Sequence, residues 1–383
     1  MSNEYILARF SHGNEPIFMA LNIAYHLMVL NPNLDIVLPV PGSKIGLLKE
    51  IADNREIDRR RVYPDTFAAD IALAYGVYWG NAIDHKDWLA NNVKYMPTVN
   101  EALKKHYTAF SVKNLENEEK AFKSNNARIV LSTGDLYDDF GMDVPIAYAF
   151  PLRHSEMLKR SKMTSFAEFG NFMRNKEKKR SVNFIPRIHS LEYDKSYEPL
   201  ENEEFTPHMK ESPVRADIAI PNDSIGMVFS GTGKKIEELK QIVARTGHKI
   251  VTGLFSPVDG EKYVKITPPR AEFVHVYADP RIRAIVGQLG YGMLWSAWNA
   301  GKPVVYPAWV KGDDEEFIHN AKTVKKHGLG VEIKKPEQVD EAVEIAQFCI
   351  PYINATNAEL KKEFGTLDGP AYIAKRIVEL GLY

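Results

Sequence analysis

The sequence predicts an α/β chain built of two Rossmann-like domains, each a doubly wound parallel sheet. Three observations carry this. Residues 5–40 read as strand, glycine-containing turn, apolar-striped helix and strand. The stretch Asp279–Gly330 repeats that order around Gly290-Tyr291-Gly292. A third such unit starts afresh at Ile218, after an acidic, proline-containing stretch. At 383 residues the chain suits two domains, each able to bury its own core.

The first element is the apolar strand Tyr5–Phe10 (YILARF), followed by the turn Ser11-His12-Gly13-Asn14. Pro16 fits the first turn of a helix, whose apolar positions are Phe18, Leu21, Ala24, Tyr25, Leu27 and Leu30. Asn31-Pro32-Asn33 ends it, and Asp35–Val40 is the next strand. The aromatic-rich region that follows includes Tyr75, Tyr78, Trp79, Trp88, Tyr95 and Tyr107. It reads as the lining of an apolar acceptor pocket or, as is commoner for such residues, as core. Ala127–Leu131 is a strand ending in Ser132-Thr133-Gly134-Asp135, and Val144–Tyr148 begins another. Residues 153–187 combine Lys159, Arg160, Lys162, Arg174 and neighbouring cations with Met157, Phe166 and Phe169. They read as a solvated helical hairpin or as a basic, amphipathic patch for peripheral membrane contact.

Residues 191–215 are the expected linker. This places an N-terminal domain at 1–190 and a second domain at 216–365, followed by a terminal segment, 366–383. In the second domain the strand Ile225–Ser230 meets Gly231-Thr232-Gly233-Lys234. That turn is not a Walker A loop, because the upstream glycine and the following Ser/Thr are missing. A helix and the strand His248–Gly253 follow, then the strand Tyr263–Thr267. IRAIVG is the strand before Gly290, an apolar helix runs to Gly301-Lys302-Pro303, and PVVYPAW is the next strand. Asp313–Glu316 then precedes a helix near Asn320-Ala321.

The formal net charge is -1, from 49 basic and 50 acidic residues, which argues against a nucleic-acid partner. The single cysteine, Cys349, excludes an internal disulfide and fits a reducing compartment. No apolar run approaches the ~20 residues a membrane span needs. The polar start MSNE does not resemble a signal peptide. The expected location is the cytoplasm, with peripheral membrane attachment as the second reading of 153–187.

Glycines at a strand-to-helix turn let a ligand approach a helix N-terminus, where free N–H groups and partial positive charge suit a diphosphate. The acidic cluster beyond the next strand lies on the same sheet edge, where carboxylates accept hydrogen bonds from sugar hydroxyls. Gly290, Gly292, Ala297, Gly301, Pro303, Pro307, Asn320, Ala321, Gly328 and Gly330 stand in an order and spacing that resemble the donor half of GT-B glycosyltransferases. The likeness is to the inverting branch that includes MurG and the UDP-glycosyltransferases. Three positions depart from the family pattern: Gln288 stands for its His, Met293 for its Ser/Thr and Ser296 for its ribose-binding Glu.

The resemblance implies two Rossmann-like domains facing each other across a cleft, with the terminal helix crossing back to the first. It implies an inverting, metal-independent glycosyltransferase without a cofactor. A nucleotide-sugar, most simply a UDP-sugar, is the donor, and the acceptor is a small or lipid-linked hydroxyl compound. His12 is the candidate general base, against the plainer reading of a turn histidine, and Asp135 its orienting partner or a helix cap. Gly13, Asn14 and Trp79 are placed at the acceptor. Gly231, Thr232, Gly233, Arg270, Gln288, Gly290, Tyr291, Gly292, Met293, Ser296, Glu315, Glu316 and Asn320 are placed at the donor. Two other readings stand beside this one. The departures at 288, 293 and 296 fit a non-catalytic nucleotide-sugar-binding accessory protein. A UDP-sugar epimerase of the same architecture fits less well, because residues 301–316 lack its Arg- and Glu-rich segment.

Overall fold

The computed structural model describes residues 4–10, 14–77, 85–133, 142–161, 164–213, 218–229, 233–253, 259–266, 273–308 and 315–383. The chain forms two compact units. The first comprises Met1–Ile185, Glu198–Thr206 and Pro370–Tyr383, and the second Pro186–Tyr197 and Pro207–Gly369. No helix among the described residues is long and apolar enough to cross a membrane.

In the first unit the strands are β1 (Tyr5–Phe10), β2 (Asp35–Leu38), β3 (Val62–Pro64), β4 (Ala109–Lys113), β5 (Glu119–Lys123), β6 (Ala127–Thr133), β7 (Ile146–Ala149), β8 (Val182–Pro186) and β9 (Glu203–Thr206). Seven of them form one sheet in the order β3-β2-β1-β6-β7-β8-β9, parallel from β3 through β8. β4 and β5 form a separate antiparallel hairpin, tied to the sheet where Lys120 Nζ meets Asp35 Oδ2 at 2.6 Å. Near-continuous burial along β1 and β6 is what parallel strands covered on both faces require. The helix after β1 spans Asn14–Leu30, with Pro16 in its first turn as expected.

Much of the expected linker is ordered structure. Asn183 N donates to Asn202 O at 2.7 Å, and the Asn202 amide donates to Arg180 O at 2.7 Å, so that β9 extends the first sheet. The terminal helix Gly369–Glu379 is held in the first unit by Arg376 Nε on Glu204 Oε1 at 2.5 Å. Residues 153–187 do not form a uniformly solvated hairpin either. Glu156 is buried and holds the guanidiniums of Arg153, Arg160 and Arg174, while Arg180 lies 4.0 Å over the Tyr148 ring. Part of the positive charge in this segment is therefore held in contacts inside the unit.

The second unit contains β10 (Ser224–Val228), β11 (Lys249–Gly253), β12 (Tyr263–Ile266), β13 (Ile282–Gly287), β14 (Val304–Pro307) and β15 (Gly330–Ile333). Their order is β12-β11-β10-β13-β14-β15, all parallel. Chain direction in the sheet thus reverses its stepping between β10 and β13. The helix after β13 ends at Gly301, whose φ of 72° is the left-handed conformation that favours glycine.

Candidate functional site

A doubly wound sheet opens a crevice where the strand order reverses, outside the carboxyl ends of the strands. In the second unit that place lies between the ends of β10 and β13. β10 leads to the helix Gly233–Arg245, and β13 leads through Gln288-Leu289-Gly290 to the helix Tyr291–Asn299. Val228 and Gly287 are register partners there. A Cβ on Gly287 would lie 2.9 Å from both Val228 O and Met293 Sδ. Glycine is needed at 287 because strand and helix approach this closely.

The helix Tyr291–Asn299 buries every residue except Gly292. Met293 and Ser296, at the family's hydroxyl and carboxylate positions, are both within the packed interior, at 5% and 4% exposure. What the first turn offers to a ligand is therefore backbone. Gly290 caps the helix without a side-chain hydrogen bond. Leu294 N already reaches Gly290 O, at 3.1 Å. By helix geometry the N–H groups of Gly292 and Met293 have no intrahelical acceptor. The Tyr291 N–H donates to Glu316 Oε1 at 2.8 Å. A carboxylate on a helix N-terminus is electrostatically favourable. The acidic cluster thus supplies an anion to the helix start itself. Gln288, at the same turn, is 5% exposed, and its Oε1 has no hydrogen-bond partner among the described residues.

Asn320 is fully buried, and both ends of its amide are engaged. Nδ2 donates to Leu289 O at 2.6 Å, and Oδ1 accepts from the Ser190 hydroxyl. Thr323 Oγ1 donates to Ser190 O at 2.7 Å. Asn320 therefore fixes the 288–290 turn against the helix Glu315–His327. Glu315 Oε2 lies 3.7 Å from His319 Nε2, and His319 Nδ1 is 2.7 Å from the Tyr193 hydroxyl. Ser190, Tyr193, His319 and Thr323 were not legible as site residues. Ser190 and Tyr193 lie more than a hundred positions from their partners, and no local pattern joins them. Gly233 is the first residue of the helix Gly233–Arg245.

His12, Gly13, Trp79, Asp135, Gly231, Thr232 and Arg270 lie outside the described residues. The described residues flanking 11–13 are held together, because the buried Thr133 Oγ1 is 3.0 Å from both Arg9 O and Pro16 O. Asn14 is the first residue of the helix that follows. Of the aromatic region, Tyr107 is core, packed with Tyr5, Phe110 and Phe122. Tyr75 is partly exposed, with its ring 5.4 Å from that of Tyr95.

No family model matches this sequence, and no curated protein sequence does. Solved structures match it along nearly its whole length. The glycotransferase of kitacinnamycin superposes with a TM-score of 0.61 at 12% identity, covering 99% of this chain and 100% of that one. A UDP-glucosyltransferase from Polygonum tinctorium, in complex with 3,4-dichloroaniline, gives 0.62 at 10% identity, covering 99% and 98%. The glycosyltransferase SnogD from Streptomyces nogalater gives 0.58 at 13% identity, covering 99% and 100%. At such identities the likeness shows the fold: two parallel-sheet α/β domains of GT-B type.

Proposed function

We propose that the chain is an inverting glycosyltransferase that moves a sugar from a nucleoside-diphosphate donor, a UDP-sugar in the simplest case, to a hydroxyl acceptor. The observation that carries this is the start of the helix Tyr291–Asn299. It stands at the strand-order reversal of a parallel sheet, with backbone donors and Gly292 as its accessible residue. The GT-B likeness adds to it, since the UDP-glucosyltransferase among the matching structures uses the same architecture.

In this reading the diphosphate lies at the first turn of the helix, on the N–H groups of Tyr291, Gly292 and Met293. The helix dipole and these donors stabilise the negative charge that develops on the departing nucleotide, a role that needs no metal. His12 takes the proton from the acceptor hydroxyl as that oxygen attacks the anomeric carbon from the face opposite the leaving group, and Asp135 orients it. Glu315 and Glu316 stand near the helix start to receive sugar hydroxyls.

The test is calorimetry and thermal shift with UDP, dTDP, GDP, CMP and their sugars, followed by a transfer assay with and without EDTA. Selective binding of one nucleoside diphosphate, EDTA-insensitive transfer and a roughly 100-fold lower kcat in His12→Ala are expected. Absence of all nucleotide binding would refute the donor site. A second reading, a nucleotide-sugar-binding protein without turnover, is favoured by the burial of Met293 and Ser296 where the family carries polar ligands. It predicts binding that survives His12→Ala, with no transfer.

A further inference from the structure

The start of the helix Tyr291–Asn299 already carries an anion. Glu316, 25 residues away along the chain, places Oε1 2.8 Å from the Tyr291 N–H, and a Cβ on Gly290 would come within 3.5 Å of the same oxygen. The carboxylate lies where a phosphate oxygen is expected to take its hydrogen bond and its share of the helix dipole. Its position is set from behind. Asn320, one helical turn further on, is bonded to Leu289 O in the very turn that precedes the helix. In the same turn the buried Gln288 Oε1 has no hydrogen-bond partner among the described residues.

We propose that Glu316 is an internal stand-in for the phosphate: it occupies the helix start while the site is empty and must leave when a nucleoside diphosphate binds. The inference rests on the donor-site reading above. Physically it is a competition. A bare phosphate or pyrophosphate offers charge alone and has to displace a tethered carboxylate that already accepts the Tyr291 N–H. A nucleotide brings further contacts through its base and ribose, so it displaces the carboxylate more readily. The effect is a threshold: the same cost falls on every anion and leaves their relative affinities unchanged, but free inorganic anions, which lack further contacts, then bind too weakly to occupy the site.

The test compares wild type with Glu316→Ala and Glu316→Gln by calorimetry, with UDP and inorganic pyrophosphate as probes. Removing the tethered competitor is expected to lower Kd for both by about five- to tenfold, the size of a helix-capping interaction. Pyrophosphate, weak in wild type, becomes measurable. A capping residue with only a structural role would instead leave affinity unchanged or reduced in both variants, and that result overturns the proposal. If UDP binds wild type and the variants alike, the donor site stands and the stand-in role fails. If neither probe binds any of the three proteins, both fail. A thermal melt of each variant shows that the unit is folded at the assay temperature.

Discussion

Substituting Gly287 by alanine tests how the switch point of the second sheet is built. The new methyl would meet two atoms at 2.9 Å, Val228 O and Met293 Sδ. These respond differently. The thioether ends a flexible side chain and can swing away. The carbonyl belongs to the strand that pairs with Gly287 in the ladder, so it yields only if β10 and β13 separate. Overpacking of this kind costs about 1–3 kcal/mol. For a domain of this size a loss of about 2 kcal/mol lowers Tm by roughly 4–8 °C. Scanning calorimetry of Gly287→Ala measures it, and Met293→Ala and the double variant complete a cycle. Met293→Ala alone costs about 2–5 kcal/mol by leaving a cavity. Part of the glycine penalty then disappears in the double variant, with a coupling of about 1 kcal/mol. If the single glycine variant melts within a degree of wild type, the methyl has room and the close approach of strand and helix is wrong. If it is destabilised but the double variant shows no coupling, the carbonyl alone is the obstacle.

Three further outcomes follow from named contacts. Gly292→Val crowds the accessible residue at the helix start, so UDP affinity should fall at least tenfold with little change in Tm; unchanged affinity moves the diphosphate elsewhere. His208 is buried with Nε2 2.9 Å from Asn357 Oδ1, and burial pushes its pKa down to about 4. Its folded value is below the unfolded one, so between pH 6.5 and 4 only the unfolded state takes the proton, and stability falls by about 3 kcal/mol across that window. Denaturation midpoints of wild type and His208→Gln against pH check this, and parallel curves would contradict it. Glu156→Gln leaves the guanidiniums of Arg153, Arg160 and Arg174 without their shared carboxylate. Arg153 keeps Glu177 and Glu203, and Arg160 and Arg174 are partly exposed, so the loss is about 1–3 kcal/mol, which urea unfolding of the variant reads; a midpoint equal to wild type would show the cluster is solvent-screened.

The strands that lead into the glycine turns are legible because their signal is local. IRAIVG is β13 to the residue, YILARF is β1, and the glycine turn between strand and helix is where its spacing puts it. Segments held by polar contacts over long separations were not. Glu203–Thr206 has a charged, weakly periodic sequence, and its place as a sheet strand depends on Asn202 meeting Asn183 and Arg180. Ser190 and Asn320 are 130 positions apart, and neither residue type announces such a partner. The arginine contacts within 153–187 are hidden from the sequence for a related reason. Composition counts cations, whereas the fold pairs three of them with one glutamate.

The departures at positions 288, 293 and 296 take on a consistent physical sense once burial is known. A helix that keeps Met293, Trp295, Ser296 and Trp298 inside the unit has no side chain left to present to a phosphate. Anion recognition at such a helix has to come from main-chain N–H groups, and these do not depend on which residue follows the glycine. In the proposed donor site, a methionine at 293 therefore removes one ligand without removing the main-chain donors. The remaining determinant is competition for those same N–H groups. Under the proposal above Glu316 is that competitor, so the acidic position that the sequence suggests for the sugar would also govern access to the phosphate subsite. Affinity at this site should respond more strongly to Glu316 than to restoring a threonine at 293.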